Sequence, residues 1–530
     1  MLSLTGSQAQ SPRKYLVRLR DKVGTPYRTD QPRAFLSARA VQRRQRQNIP
    51  VQERDLPVSP DYVAQLRQAG ATVWYRSRWL NAVLIEATDA VLTRVLALPC
   101  VTGLESGRSL SPGARIGADS RTGAGLTKFG AAAPPPYGLS QSQVTQLGVD
   151  QLHAAGYHGE GILIGVLDSG FSNANRVDFL KPLFAENRVL ATYDFVRNET
   201  SVYEDDAHGL SCLSAIAATA DGRLYGTAYN ASFVLLRTED VATESRLEEA
   251  NWLFGAEYAD SAGVDVISSS LGYTRFDDPT TDYRYSDMNG HTALSSRAAQ
   301  IATQTGMVVV VAAGNEGASD WRYLSAPADA AGVLAVGAVR ADGVRASFSS
   351  FGPAADGRVK PDLVARGQGT YIGLPNGAIS TGNGTSFATP LLAGLAASFW
   401  QANPRLTAAQ LTAVLRQSGS QFTTPDDALG YGIPSVARAT TQADLFRALL
   451  AYPIPFSDAE PLTISWGELD AGTTLTASLA DLTGRIVWQQ QVSPPALPAL
   501  VLPGVGLAPG LYVLSVAGGS NKRSLRVIKR

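Results

Sequence analysis

Gly384-Thr385-Ser386-Phe387-Ala388-Thr389-Pro390 leads directly into the apolar run 391–400, and its reading decides how the rest of the chain is organised. The run has helical character, so Ser386 is expected at or near a helix N-terminus. Unpaired N–H groups and the positive end of the dipole favour developing negative charge there. Gly384 allows close backbone approach, and Pro390 is expected in the first turn, where a missing N–H is tolerated. A serine ahead of a helix is ordinarily a cap, so Ser386 alone implies no chemistry. Its companions decide.

Leu163-Ile164-Gly165-Val166-Leu167 reads as a buried strand and ends in Asp168-Ser169-Gly170. A carboxylate therefore stands at a strand's C-terminal edge, where open α/β sheets place their sites. Further on, His208-Gly209 precedes a small-residue stretch (Ser211, Ser214, Ala215, Ala217, Ala218) suited to a tightly packed helix. Acyl transfer needs an oxygen nucleophile, an imidazole to take its proton and a carboxylate to hold the imidazole's tautomer. Asp168, His208 and Ser386 supply these in one of the known chain orders. Met307-Val308-Val309-Val310-Val311-Ala312-Ala313-Gly314-Asn315-Glu316-Gly317 reads as a central parallel strand that delivers Asn315, an amide donor for an oxyanion, to the same edge. Singly, each has a plainer reading: Asp168 a turn residue, His208 a packing histidine, Asn315 a turn former, Ser386 a cap.

These four segments together resemble the subtilisin-like serine protease (subtilase) family. The family usually has Thr where Leu210 stands and Ala-Pro-Gly where the chain reads Ala365-Arg366-Gly367; both read as packing or loop variation. The resemblance covers roughly 145–445 and also takes in Ser349-Ser350-Phe351-Gly352 and Lys360-Pro361-Asp362. It implies peptide-bond hydrolysis through an acyl-enzyme, with Ser386 as nucleophile, His208 as base and acid, Asp168 as orienter and Asn315 as oxyanion donor. It further implies that extended substrate lies along Ser269, Ser270, Leu271 and Gly272, that Pro327 belongs to the primary pocket's wall, and that Glu316 sits at that pocket's rim. No cofactor is required for the chemistry. Structural calcium is common in the family, but Asp205-Asp206 and Asp277-Asp278 read first as solvated turns, so no metal ligand is assigned. A transpeptidase on the same acyl-enzyme and an inactive surface adhesin are the rival readings.

The chain has 530 residues, with 46 basic and 46 acidic side chains, so several domains are expected and no polyelectrolyte partner such as nucleic acid is implied. No apolar run reaches the roughly 18 residues of a transmembrane segment. Cys100 and Cys212 make no disulfide framework, and Cys212 reads as a small buried hydrophobe. Residues 1–12 resemble the remnant of a secretory signal, with the natural start expected upstream. Residues 13–105 follow a β–α–β–β–α–β pattern, that of a ferredoxin-like domain. In subtilases such a domain resembles the propeptide that acts as intramolecular chaperone and inhibitor. Its cluster Arg39, Arg43, Arg44 and Arg46 reads as a solvated helix face rather than a partner patch. Residues 106–144, rich in Gly, Ala, Ser and Pro, read as linker and processing region. The α/β alternation of 145–445 predicts a doubly wound, mostly parallel sheet. Residues 450–530 read as a β-sandwich that resembles the C-terminal sorting domain of type IX secretion, implying secretion machinery as a partner and export across the outer membrane to the surface or medium. A substrate-binding β-module is the alternative.

Overall fold

Val308–Ala312 is buried at every position, because a parallel strand covered by helices on both faces has no solvent side. In the computed structural model, which describes residues 11–111, 137–447, 450–465, 474–492, 499–502, 506–518 and 521–530, this strand lies within a seven-stranded sheet. The order is Leu363–Arg366, Leu334–Val339, Val308–Ala312, Val266–Ser269, Leu163–Asp168, Ser232–Arg237 and Val189–Asp194, with every pairing parallel. The expected signal remnant up to residue 10 and the processing region 112–136 fall outside the described residues. The chain leaves the strand Leu163–Asp168 toward one side of the sheet and later crosses to Val266–Ser269 on the other, which makes a topological switch point. Ser269 is in register with Leu167 on one side and Val311 on the other, so three neighbouring strands finish level.

The helix Thr385–Ala402 crosses beneath that edge and is buried from Thr385 to Trp400. It starts one residue after Gly384, whose φ of 156° suits only glycine. Pro390 departs from expectation: it lies inside the helix rather than in its first turn. Its missing N–H would have paired with the carbonyl of Ser386, four residues back. That carbonyl instead accepts the Ser270 hydroxyl at 2.8 Å and the Cys212 thiol at 3.3 Å.

The N-terminal region forms a four-stranded antiparallel sheet ordered Thr72–Ser77, Ala82–Ala87, Arg13–Leu19 and Val101–Leu104, with helices Pro60–Gln68 and Asp89–Leu96. Val17, Val63, Leu66, Ile85 and Val95 form its core. One further helix, Ala38–Arg46, carries the arginine cluster, and for Arg43 and Arg44 the solvated reading is overturned, while the side chains of Arg39 and Arg46 stay partly exposed. Arg43 and Arg44 are buried and both pair with Asp260, on the helix Arg246–Ala262 of the α/β region, where Arg78 joins them at 2.5 Å. Arg39 pairs with Asp265, and Glu257 accepts the Ser77 hydroxyl and the backbone N–H groups of Arg78 and Trp79. Buried ions need such partners, because desolvation would otherwise exceed the attraction.

Residues 1–436 and 437–530 are separate compact units. In the second, the antiparallel strands Leu450–Tyr452, Leu462–Ser465 and Ala499–Leu502 form one sheet, and Ile486–Val492, Leu475–Ala480, Gly510–Gly518 and Asn521–Lys529 another. Phe456, Ile464, Leu479, Leu514 and Val527 fill the core that the two sheets share. Strands with one buried and one solvated face give the alternation seen along Leu475–Ala480.

Candidate active site

The level strand ends bring the predicted residues to one edge. Asp168 closes its strand fully buried, and its Oδ1 accepts from His208 Nδ1 at 2.7 Å. The N–H of Ser169 donates to the same oxygen at 2.8 Å. His208 opens the helix His208–Ala217, its backbone N–H donating to Asp206 Oδ2 at 2.9 Å. Ser169 Oγ donates to that carboxylate at 2.7 Å, which ties the loop before the histidine to the strand end. Burial opposes the imidazolium, yet the Asp168 carboxylate, by charge and hydrogen bond, holds His208 well above its ordinary 6.5. The His208 side chain stays one-third exposed (33%), so a reacting group can approach it.

Ser386 is the second residue of its helix and makes no cap; its Oγ donates to the Ser270 carbonyl at 3.3 Å and makes no bond to His208 in this state. The two are nonetheless neighbours. Cys212 Sγ lies 4.0 Å from His208 Nε2 while donating to the Ser386 carbonyl, and the Phe387 and His208 rings are 5.7 Å apart. Burial pushes the Cys212 thiol up, so it remains a protonated donor. The expectation of a merely hydrophobic cysteine missed this role, since nothing local in the sequence signals it.

Asn315 is oriented by Thr385, whose N–H and hydroxyl donate to Asn315 Oδ1 at 2.8 and 3.0 Å. Its Nδ2 keeps both protons free of partners among the described residues, as does the Ser386 N–H, whereas the N–H groups of Thr385 and Phe387 are taken by Asn315 Oδ1 and the Gly384 carbonyl. A cleft of about 110 Å³ is lined by Ser270, Leu271, Gly272, Asn315, Glu316 and Ser386. Glu316 is held by its backbone N–H to Ser350 Oγ and by the Ser319 hydroxyl on Oε2. Two predicted residues do not line the cleft. Ser269 accepts the Trp252 indole N–H at 2.9 Å within the core, because alternate strand residues face opposite ways. Pro327 is buried and is not among the residues that line the cleft, whereas Ser325, unremarked in the sequence, is.

The acidic pairs are engaged by the protein itself. Asp205 faces the guanidiniums of Arg197 and Arg237, Asp206 holds Ser169 and His208, Asp277 accepts the N–H of Glu244 and Asp278 caps Thr280. Asp205, already faced by two guanidiniums, does not fit calcium ligation.

A doubly wound α/β domain with a carboxylate, an imidazole and a helix-borne serine gathered at its switch point defines a class of acyl-transfer proteins. Residues 159–432 match the subtilase family model and residues 14–121 match the peptidase S8 propeptide domain of Bacteroidota. The chain belongs to the subtilase family. It is 34% identical over 280 residues to subtilisin NAT of Bacillus subtilis subsp. natto, a match covering 52% of this chain and 64% of that protein. It is 33% identical to a subtilisin of Bacillus pumilus, covering 52% of this chain and 88% of the relative. A crystal structure of a cold adapted subtilisin-like serine proteinase is similar at 28% identity and a TM-score of 0.42, over 53% of this chain and 90% of that one.

Proposed function

We propose that the chain is a secreted serine endopeptidase working through an acyl-enzyme. The observation that carries this reading is the 2.7 Å Asp168–His208 bond beside a serine at a helix N-terminus. A rotation about χ1 takes Ser386 Oγ from the Ser270 carbonyl toward His208 Nε2. His208 removes the proton as Oγ attacks the scissile carbonyl, then passes it to the leaving amine; Asp168 holds the tautomer and stabilises the imidazolium. Asn315 Nδ2 and the Ser386 N–H receive the oxyanion, and extended substrate pairs along Ser270, Leu271 and Gly272. Water then releases the acyl group. Asn315→Ala is expected to lower kcat by about 10²–10³, as measured for such a donor in subtilisin, a relative. A drop below tenfold in steady-state kinetics would remove Asn315 from this role.

The decisive experiment is labelling with a fluorophosphonate probe, which reports an activated hydroxyl. Label on Ser386 by peptide mass spectrometry, and none on Ser386→Ala, supports the peptidase; an unlabelled wild type after removal of the N-terminal domain sinks it. That domain acts as chaperone and inhibitor, held by the arginines on Asp260. The C-terminal β-sandwich is the signal for type IX export across the outer membrane. A chain ending before Leu450 should remain in the producing cell, and its appearance in the medium at wild-type level would discard the sorting role.

A further inference from the structure

We infer that Arg322 and Arg345 form a binding site for one oxyanion group, either a free phosphate or the carboxylate of an acidic side chain on a bound protein. The site flanks the active-site cleft and is independent of its chemistry. Both guanidiniums lie over the ring of Phe351, at 4.7 and 3.7 Å from its centroid. A ring face attracts a cation, yet two cations on one ring repel each other unless a counter-charge joins them. Among the described residues neither arginine makes an ion pair, and the Arg322 side chain makes no hydrogen bond. Burial, and after it the Arg322 charge, push the Arg345 pKa down, with no carboxylate to offset them.

The backbone holds this pair under strain. Arg322 has a φ of 63°, whereas the other described non-glycine residues with positive φ are all Asn apart from Ser106. Asn tolerates that region through its short polar side chain; an arginine there is strained, a condition typical of ligand clamps. Pairing with Phe351 sets the conformation: the Phe351 N–H donates to the Arg322 carbonyl at 3.0 Å, and the Leu324 N–H to the Phe351 carbonyl at 2.9 Å. The Arg322 side chain is left exposed. Arg345 is fixed by Nη1, which donates to the Ala346 and Ser347 carbonyls at 3.0 and 3.2 Å. Its Nη2 lies against Gly317, where a methyl group would come within 2.9 Å. Its Nε is buried without a partner, although buried donors are nearly always paired. A rigid, unsatisfied guanidinium beside an exposed one suits an oxyanion that bridges both by charge-assisted bonds. Neither arginine lines the cleft, although Glu316 and Ser325, which do, stand close to them in sequence.

The test is calorimetric titration of the full chain at low ionic strength, with Ser386→Ala in place so that an added peptide stays intact. One arm uses inorganic phosphate; the other uses a short peptide holding one Glu, against the same peptide with Gln. Phosphate should bind at a single site. Arg322→Gly, which suits a φ of 63°, should weaken it at least about tenfold, and Arg345→Gln by at least as much. A Glu peptide that binds more tightly than its Gln twin, is displaced by phosphate and loses its advantage in Arg322→Gly assigns the site to acidic side chains. Phosphate binding with no difference between the peptides assigns it to the free ion. No phosphate binding at millimolar concentrations overturns the inference, and so does binding that Arg322→Gly leaves unchanged. Arg322 is exposed, so that variant decides the matter even where Arg345→Gln does not fold.

Discussion

Ser386→Ala is expected to lower kcat by about 10⁶-fold with little change in KM, the scale of loss found when the nucleophile of subtilisin is removed. The reason is covalent. Ser386 combines a hydroxyl lining the cleft with a helix N-terminus, and the hydroxyl of its neighbour Thr385 is already donated to Asn315 Oδ1. Cys212 cannot replace it, because that thiol is buried, kept protonated and already donated to the Ser386 carbonyl. What survives should be catalysis by the oxyanion donors and binding alone. The pH profile gives an independent check on the same machinery. His208 must be neutral to accept the serine proton, and Asp168 holds its pKa well above 6.5. In the wild type, kcat/KM should therefore rise as pH increases through that elevated value and be low below it. Steady-state kinetics across pH decide the matter: a loss under a hundredfold in Ser386→Ala, or an acid limb below the ordinary histidine range, would contradict the assignment.

Asp260→Ala is expected to release the N-terminal domain. Three guanidiniums, from Arg43, Arg44 and Arg78, converge on this one buried carboxylate. Removing it leaves buried positive charges facing one another, and breaking a buried pair in this way costs about 3–5 kcal/mol. At about 1.4 kcal/mol per tenfold, the hold should weaken by roughly 10²–10³·⁵. Asn at this position should also fail, since a neutral amide cannot balance the guanidiniums. The readout is inhibition of the mature enzyme by added N-terminal domain, wild type against variant. An inhibition constant within tenfold of wild type would show that the arginines do not govern docking.

The placing of these residues at one sheet edge was legible because each sits in a short local pattern: Asp168 ends an apolar strand, Asn315 follows another, and Ser386 opens an apolar helix. The ferredoxin-like pattern was readable for the same reason, from alternating strands and capped helices such as Thr88 on the N–H of Val91. Arg43 and Arg44 were misread because a solvated and a buried arginine share the same helical spacing, and the carboxylate they share, Asp260, lies more than 200 positions away. Ser325 was invisible because its place in the cleft is a relation between Gly272, Gly314 and Ser325, and no one of these segments contains it. Ser269 failed for a simpler reason, since its place next to Ser270 puts it on the opposite face of the strand.

Pro390 withholds a backbone donor, and Ser270 and Cys212 stand in for it at the Ser386 carbonyl. Positions 212, 270 and 390 consequently form one unit of inheritance, although they lie on two helices and a strand end. With Ala at 390, a helical N–H returns to that carbonyl and the other two donors become dispensable; with Pro, losing both leaves it bare. The effect of substituting any one of them therefore depends on the other two. Their histories should be epistatic, and a change at 390 opens routes at 212 and 270 that are otherwise closed.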